Sequence, residues 1–210
     1  MSIVPDRFAK STRGGIAPVA RRLHALGVTA NAVTTVGFLL TVAGTVLLAS
    51  GRPGAALVVL LLGTLSDAVD GQIARAAGGG TRFGAFLDST LDRLSDAALA
   101  ISAVYLGTTV PLGTTLPSTL SFWSGLALLV ASFQVSYIRA KAESLGEGAS
   151  VGLAPREARI ALFLIGVAAW ALTGTFVLFA AAVAIAAFLA TVTVVQRVVH
   201  MAAALNEKKG

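Results

Sequence analysis

The sequence predicts an all-α integral membrane protein, with six transmembrane helices preceded by an N-terminal amphipathic helix lying in the membrane interface. Three observations carry this. First, 56% of the 210 residues are hydrophobic and only 12% are charged, about half the charge density of a typical soluble domain, and mean hydropathy is +0.83. Second, six stretches are long and apolar enough to cross a bilayer, which takes about 20 residues of helix. Third, basic residues fall on alternate connections, as the positive-inside bias requires. The same composition excludes disorder, because disordered chains are polar and charged. The absence of cysteine excludes disulfides and thiolate metal sites. The two histidines, His24 and His200, are too few and too distant for a histidine metal site. The net charge of +6 points to anionic headgroups and membrane orientation rather than to nucleic acid.

Residues 1–28 do not span. Ile16, Val19, Leu23 and Leu26 recur at helical spacing, with Arg21 roughly opposite and Arg13 and Arg22 flanking, the pattern of an interfacial helix. A six-helix domain over 29–205 and a polar tail over 206–210 follow. The first span runs from about Asn31 to Ser50 and stops at the turn signal Gly51-Arg52-Pro53-Gly54. The second covers about Ala55 to Ala77 and stops at Gly78-Gly79-Gly80. The third runs from Phe83 to about Leu106, before a Gly/Thr/Pro/Ser-rich loop over 107–118. The fourth covers about Leu120 to Leu145. The fifth starts near Pro155, a residue suited to a first helical turn, and ends near Thr173. The sixth runs from about Phe176 to Ala204. Trp123 and Trp170, each near a span end, read as interface anchors.

Orientation follows from the loops. One face carries Arg7, Lys10, Arg13, Arg21 and Arg22, then Arg75 and Arg82, then Arg139, Lys141, Arg156 and Arg159, and finally Arg197, Lys208 and Lys209; the other carries Arg52 alone. Both termini are therefore expected inside, facing the cytoplasm.

Five aspartates, Asp67, Asp70, Asp88, Asp92 and Asp96, sit within the second and third apolar stretches. Each costs roughly 2.5–3.5 kcal/mol inside lipid, so the set needs compensating cations or a function. At 100° per residue, Asp67, Asp70, Gly71 and Ala74 share one helix face, and Gly84, Asp88 and Asp92 form a stripe at four-residue spacing. The short connection 78–82 makes the two helices antiparallel neighbours. Asp67 and Asp92 then lie at a matching depth, about 14–15 Å from the inner helix ends. Four carboxylates cannot all ionise together without neutralisation, and hard divalent cations, Mg²⁺ or Mn²⁺, are the natural partners for oxygen ligands. Arg75 offers a phosphate partner. Asp96, one turn deeper, reads as a structural partner of Arg93 at i, i+3.

The pattern Asp67-x2-Asp70-Gly71-x2-Ala74-Arg75-x8-Gly84-x3-Asp88-x3-Asp92 resembles, position for position, the signature of the CDP-alcohol phosphotransferase family. The six-helix layout with its amphipathic leader is similar as well. The resemblance implies transfer of a phosphatidyl-type group from a CDP-linked lipid to an alcohol, with release of CMP. It implies that Asp67, Asp70 and Asp88 bind a pair of metal ions, with Asp92 as a further ligand or the general base. It also implies that Asp67, Gly71, Ala74, Arg75 and Gly84 frame the cytidine diphosphate. Thr81, in the Gly-rich 78–84 connection, is placed to donate to a phosphate of that nucleotide. A homodimer is implied too; the residues themselves do not show one.

The acceptor is read from a second set of residues. Arg139 and Lys141 fall near the inner end of the fourth span, Arg156 and Arg159 share a face in the first turn of the fifth, and Arg197 lies near the inner end of the sixth. These suit a second anion, such as a phosphate on the acceptor. Basic residues in a first helical turn oppose the helix dipole, which favours a ligand there. The segments Ser136–Glu143 and Arg156-x2-Arg159, together with Gly80–Asp88, resemble the actinobacterial phosphatidylinositol-phosphate synthase branch of the family. That branch implies CDP-diacylglycerol as donor, inositol 1-phosphate as acceptor and a multi-pass protein of the bacterial cell membrane with a cytoplasmic active site. Two alternatives stay open at this point. One is glycerol 3-phosphate as acceptor, giving a phosphatidylglycerophosphate synthase. The other is a divalent-cation transporter, which intramembrane carboxylates also suit, although the remaining spans carry no acidic residue in their middles.

Overall fold

The structure is a computed structural model that describes residues 18–109 and 115–207. Among these residues it is all-helical. A short helix α1 covers 18–25. It is followed by α2 (Ala30–Ala49), α3 (Pro53–Ala76), α4 (Arg82–Thr109), α5 (Thr115–Ser144), α6 (Arg156–Thr173) and α7 (Phe176–Glu207). The six long helices match the six apolar stretches in order. α4 runs on to Thr109 and α5 begins at Thr115, so both ends of the predicted 107–118 loop are helical. Ile16 and the basic residues before it lie outside the described residues. In α1, Val19 stays 52% exposed while Ala20 is buried, so the predicted apolar face is not spent on packing within the protein.

Four of the six long helices, α2, α3, α5 and α7, are apolar enough to cross a membrane, where the sequence predicts six spans. The physical reason is charge. Arg82, Asp88, Asp92, Arg93 and Asp96 fall within α4, and Arg156, Glu157 and Arg159 open α6. In α3 only 22% of the most apolar stretch is buried inside the protein, and Val58, Leu61, Leu62 and Leu65 face outward. A helix this apolar with so little protein around it is solvated by lipid. The protein is therefore membrane-embedded.

The described residues fall into two units. The first comprises the residues up to Ala43 together with Val58–Ser95; the second comprises Gly44–Leu57 together with the residues from Asp96 onward. In the first, α2 and α3 meet through glycine. A Cβ on Gly63 would lie 2.8 Å from Thr41 Oγ1, and one on Gly37 would lie 2.8 Å from Ser66 Cβ. Small residues let membrane helices approach this closely. The second unit is organised by α7, which packs against α5 and α6. Its core holds Phe163, Phe176 and Phe179. Trp170 belongs to this core and is not the predicted interface anchor. It is 9% exposed and stacks edge-on to Phe176 at 5.1 Å. Gly174, in the left-handed conformation, turns the chain sharply between α6 and α7, which folds Phe176 back onto the indole. Trp123, by contrast, is exposed, as an interface residue requires.

Candidate active site

The carboxylates of the first unit are set by α3 and α4. Asp70 is buried, and the Thr34 hydroxyl on α2 donates to its Oδ2 at 2.7 Å. The same hydroxyl lies 3.0 Å from the Ala30 carbonyl, one turn back, so its position is fixed from two sides. Asp67 and Asp88 both lie within electrostatic reach of Asp70. Asp67 is half-buried and Asp88 exposed, so the acidic face opens outward from a buried end. Asp92 is half-buried and leans toward its neighbour Arg93 at 3.7 Å, too long for a hydrogen bond. Among the described residues no three acidic or histidine side chains draw together closely enough to hold one ion between them. Of the four predicted carboxylates, Asp67 and Asp88 come within electrostatic reach of Asp70, Asp70 is tied to Thr34, and Asp92 inclines toward Arg93. The donor set itself suits a hard divalent cation. It consists of carboxylate oxygens with no thiolate or imidazole among them.

The residues predicted to frame a nucleotide lie on α3, on α4 and on the connection between them. The Arg75 guanidinium folds back toward Gly71, where an added Cβ would lie 3.7 Å from Nη1. Gly84 leaves the space that Asn31 and Thr81 occupy, since a Cβ there would meet Asn31 Oδ1 at 2.9 Å and Thr81 Oγ1 at 3.0 Å. Thr81 has a structural task that the sequence reading did not assign. Its Oγ1 accepts the Gly84 N–H at 2.9 Å, which caps the start of α4. Ala74 is half-buried on the same helix.

The second unit holds the basic residues. Asp96 is buried, and its partners are not Arg93, as predicted, but two arginines 60 and 63 residues further along. Arg156 Nε reaches Oδ1 at 3.3 Å, and Arg159 Nη2 reaches Oδ2 at 3.2 Å. Arg93 instead turns to Asp92. Arg159 is 5% exposed and also donates to the Ala154 carbonyl at 3.0 Å. Arg197 is buried as well. It donates from Nε to the Val151 carbonyl at 3.0 Å and from Nη1 to the Val135 carbonyl. Arg139 and Arg159 both lie within electrostatic reach of it. Arg139 pairs with Glu143 at 2.9 Å on the exposed end of α5, and Lys141 is exposed.

One further pattern was not anticipated. Thr193, Gln196, Arg197 and His200 lie on one face of α7 at helical spacing, and each binds a backbone group of the α5–α6 connection. Thr193 Oγ1 accepts from the Ala154 N–H, Gln196 Oε1 accepts from the Leu153 N–H, Arg197 holds the Val151 carbonyl, and His200 Nε2 lies 3.1 Å from the Gly148 carbonyl. This ladder fixes the segment that delivers Arg156 and Arg159.

Comparison with known proteins bears on these arrangements. The profile of the CDP-alcohol phosphatidyltransferase family matches residues 27–199. The chain is 35% identical over 196 residues, 93% of each chain, to an archaetidylinositol phosphate synthase of Methanothermobacter thermautotrophicus. It is 38% identical over 187 residues to a phosphatidylinositol phosphate synthase of Corynebacterium glutamicum, covering 88% of this chain and 82% of that one. The structure is similar to that of Mycobacterium tuberculosis phosphatidylinositol phosphate synthase with CDP-DAG bound. There the TM-score is 0.78 at 32% identity, covering 87% of this chain and 91% of that one. The same mycobacterial enzyme has been solved with manganese and citrate, and the TM-score to that form is 0.79.

Proposed function

Because the chain belongs to the CDP-alcohol phosphatidyltransferase family, we propose that it is a membrane enzyme that transfers the phosphatidyl group of CDP-diacylglycerol to inositol 1-phosphate, giving phosphatidylinositol phosphate and CMP. The observation that carries this is the eight-position aspartate–glycine–arginine motif on α3 and α4, in a chain similar over nearly its whole length to enzymes named for inositol phosphate. Those relatives differ in the lipid half of their names and agree on the acceptor half. The donor is supported by the mycobacterial enzyme, whose structure holds CDP-DAG.

In this reading Asp67, Asp70, Asp88 and Asp92 hold two divalent ions, Mg²⁺ or Mn²⁺. When bound, such ions neutralise the pyrophosphate and stabilise charge on the departing CMP. Gly71, Ala74 and Gly84 leave room for the nucleotide, and Arg75 and Thr81 meet its phosphates. The acceptor hydroxyl oxygen bonds to the lipid-side phosphorus as the bond from that phosphorus to the bridging oxygen breaks, and CMP departs with that oxygen. Asp92 takes the hydroxyl proton, a role open to a carboxylate within hydrogen-bond reach. Thr34 orients Asp70 throughout. The acceptor's phosphate is held by the basic set Arg139, Lys141, Arg156, Arg159 and Arg197, to which the buried members contribute field and the half-exposed Arg156 contributes contact. Six spans, with α4 and α6 crossing despite their charges, place this chemistry on the cytoplasmic side of a bacterial membrane, with α1 in the interface and the protein working as a homodimer.

The test is direct. Purified protein given CDP-diacylglycerol, Mn²⁺ or Mg²⁺ and labelled inositol 1-phosphate yields labelled lipid and an equal amount of CMP. Lipid formed with glycerol 3-phosphate and not with inositol 1-phosphate would move the protein to the phosphatidylglycerophosphate branch.

A further inference from the structure

Residues 151–154 of the α5–α6 connection hold two buried arginines by backbone and are themselves held by neutral side chains. The Val151 carbonyl accepts from Arg197 Nε at 3.0 Å, and the Ala154 carbonyl accepts from Arg159 Nη1 at 3.0 Å. The Leu153 N–H donates to Gln196 Oε1 at 3.0 Å, and the Ala154 N–H donates to Thr193 Oγ1 at 3.0 Å. Thr193 is fully buried, and its own hydroxyl donates to the Leu189 carbonyl at 2.9 Å. Its side chain also packs against Gly152, where a Cβ would run into it. Two uncharged residues of α7 thus fix the backbone that grips both cations.

The two arginines differ in what they have left to offer. Arg159 also meets Asp96 through Nη2. Both bonds of Arg197 go to carbonyls, Nε to Val151 and Nη1 to Val135, and Nη2 takes part in neither. Among the described residues no buried side-chain nitrogen or oxygen lacks a partner, so Nη2 reaches an open surface. A guanidinium held by carbonyls keeps its charge uncompensated, and an anion is the ligand that compensates it. Arg159 lies within electrostatic reach of Arg197, so the pair adds to one positive field. Two like charges so placed repel, and their separation is set by the groups that grip them. A pair held ready in this way gives up less freedom when its ligand arrives.

We propose that Thr193 and Gln196 are positioning residues for the acceptor: by fixing Ala154 and Leu153 they hold Arg159 and Arg197 at the spacing that receives the acceptor's phosphate. This rests on the proposed function in one respect, that the acceptor carries a phosphate and these two arginines meet it.

Three variants of the whole chain separate positioning from mere structural support. Each is assayed for Tm, for CDP-diacylglycerol affinity, for steady-state constants toward inositol 1-phosphate, and for the Ki of inorganic phosphate as a competitor of that acceptor. Gln196→Leu removes the accepting oxygen at a half-buried position where the Leu153 N–H can turn to water. Thr193→Val keeps the shape and removes the hydroxyl, which leaves the buried Ala154 N–H unpaired and endangers folding. Thr193→Ser returns the hydroxyl. In Gln196→Leu, Tm stays near wild type and CDP-diacylglycerol affinity holds within about twofold, while acceptor KM and phosphate Ki rise together about tenfold to a hundredfold, the scale of a misplacement near 1 Å. Thr193→Val, where it folds, shows the same split, and Thr193→Ser stays near wild type. If Thr193→Val does not fold, Gln196→Leu decides alone. A Gln196→Leu variant with wild-type acceptor KM, with constants for both substrates that shift together, or with a raised KM and an unchanged phosphate Ki overturns the proposal. Wild-type enzyme is the separate control on function. If it uses glycerol 3-phosphate instead, only the identity of the acceptor fails, and the variants are judged by their KM for that phosphate. Wild-type enzyme that uses unphosphorylated inositol as well as its phosphate overturns both.

Discussion

Thr34 is the residue whose importance is hardest to see in sequence, because a threonine in an apolar helix is usually content with the carbonyl one turn back. Here its hydroxyl also lies 2.7 Å from Asp70 Oδ2. Residues that orient a ligating side chain are worth about 10–100-fold in metal affinity or activity. Thr34→Val, close in shape but without the hydroxyl, should raise the Mn²⁺ concentration for half-maximal activity by that order, and Thr34→Ser should restore it. Metal titrations of turnover in detergent check this, and an unchanged midpoint in the Val variant would make Thr34 a packing residue. Asp92 calls for a different measurement. In the proposed role of proton acceptor it would contribute to the chemical step more than to substrate capture, so Asp92→Asn should cut kcat by at least about a hundredfold while CDP-diacylglycerol affinity measured at equilibrium stays near wild type. Loss of that affinity would assign Asp92 to metal or nucleotide binding alone.

At the scale of elements, the α5–α6 connection shows how a loop is made rigid. Gly152 sits at φ +136°, and a Cβ there would run into the Thr193 side chain. Both the backbone region and the contact therefore demand glycine. Gly152→Ala should lower stability by about 1–3 kcal/mol, read as a fall in Tm. It should also raise acceptor KM, because the loop carries Ala154 and its hold on Arg159. A variant with unchanged Tm would mean that Thr193 yields and the ladder is slack. The helices themselves were legible in sequence, since apolar runs near the bilayer length leave little choice, and Gly51, Gly78 and Gly174 mark breaks with positive φ. The aspartate face was legible because its members lie three or four residues apart on single helices. The Asp96–Arg156 pair, the bond from Leu153 N–H to Gln196 and the burial of Trp170 were not. The first joins two helices across 60 positions, the second joins the α5–α6 connection to α7 across 43, and the third packs α6 against α7, and helical periodicity carries no information about which segment will be the neighbour.

For the whole molecule, the number of membrane crossings is decided at α4 and α6, the two long helices that fall short of the apolarity of the others. α4 carries Asp88, Asp92 and Asp96, and α6 opens on Arg156 and Arg159, so neither reaches the apolarity of α2, α3, α5 and α7. Length does not forbid either. The 28 residues of α4 extend about 42 Å and the 18 of α6 about 27 Å at 1.5 Å per residue, against a hydrocarbon core of about 30 Å. Charged side chains that face a protein interior or a polar cavity do not bar insertion. The chain contains no cysteine, so single cysteines report their side of the membrane without background. Six crossings predict that an impermeant maleimide labels Arg52→Cys, Leu116→Cys and Thr175→Cys in intact cells, and reaches Gly80→Cys and Gly148→Cys only after permeabilisation. Both of those glycines have open space where the side chain would go. Leu116 and Gly80 on the same side would remove α4 as a span, and Gly148 and Thr175 on the same side would remove α6. In either case the acidic face or the arginine pair would have to be rebuilt as an interfacial structure.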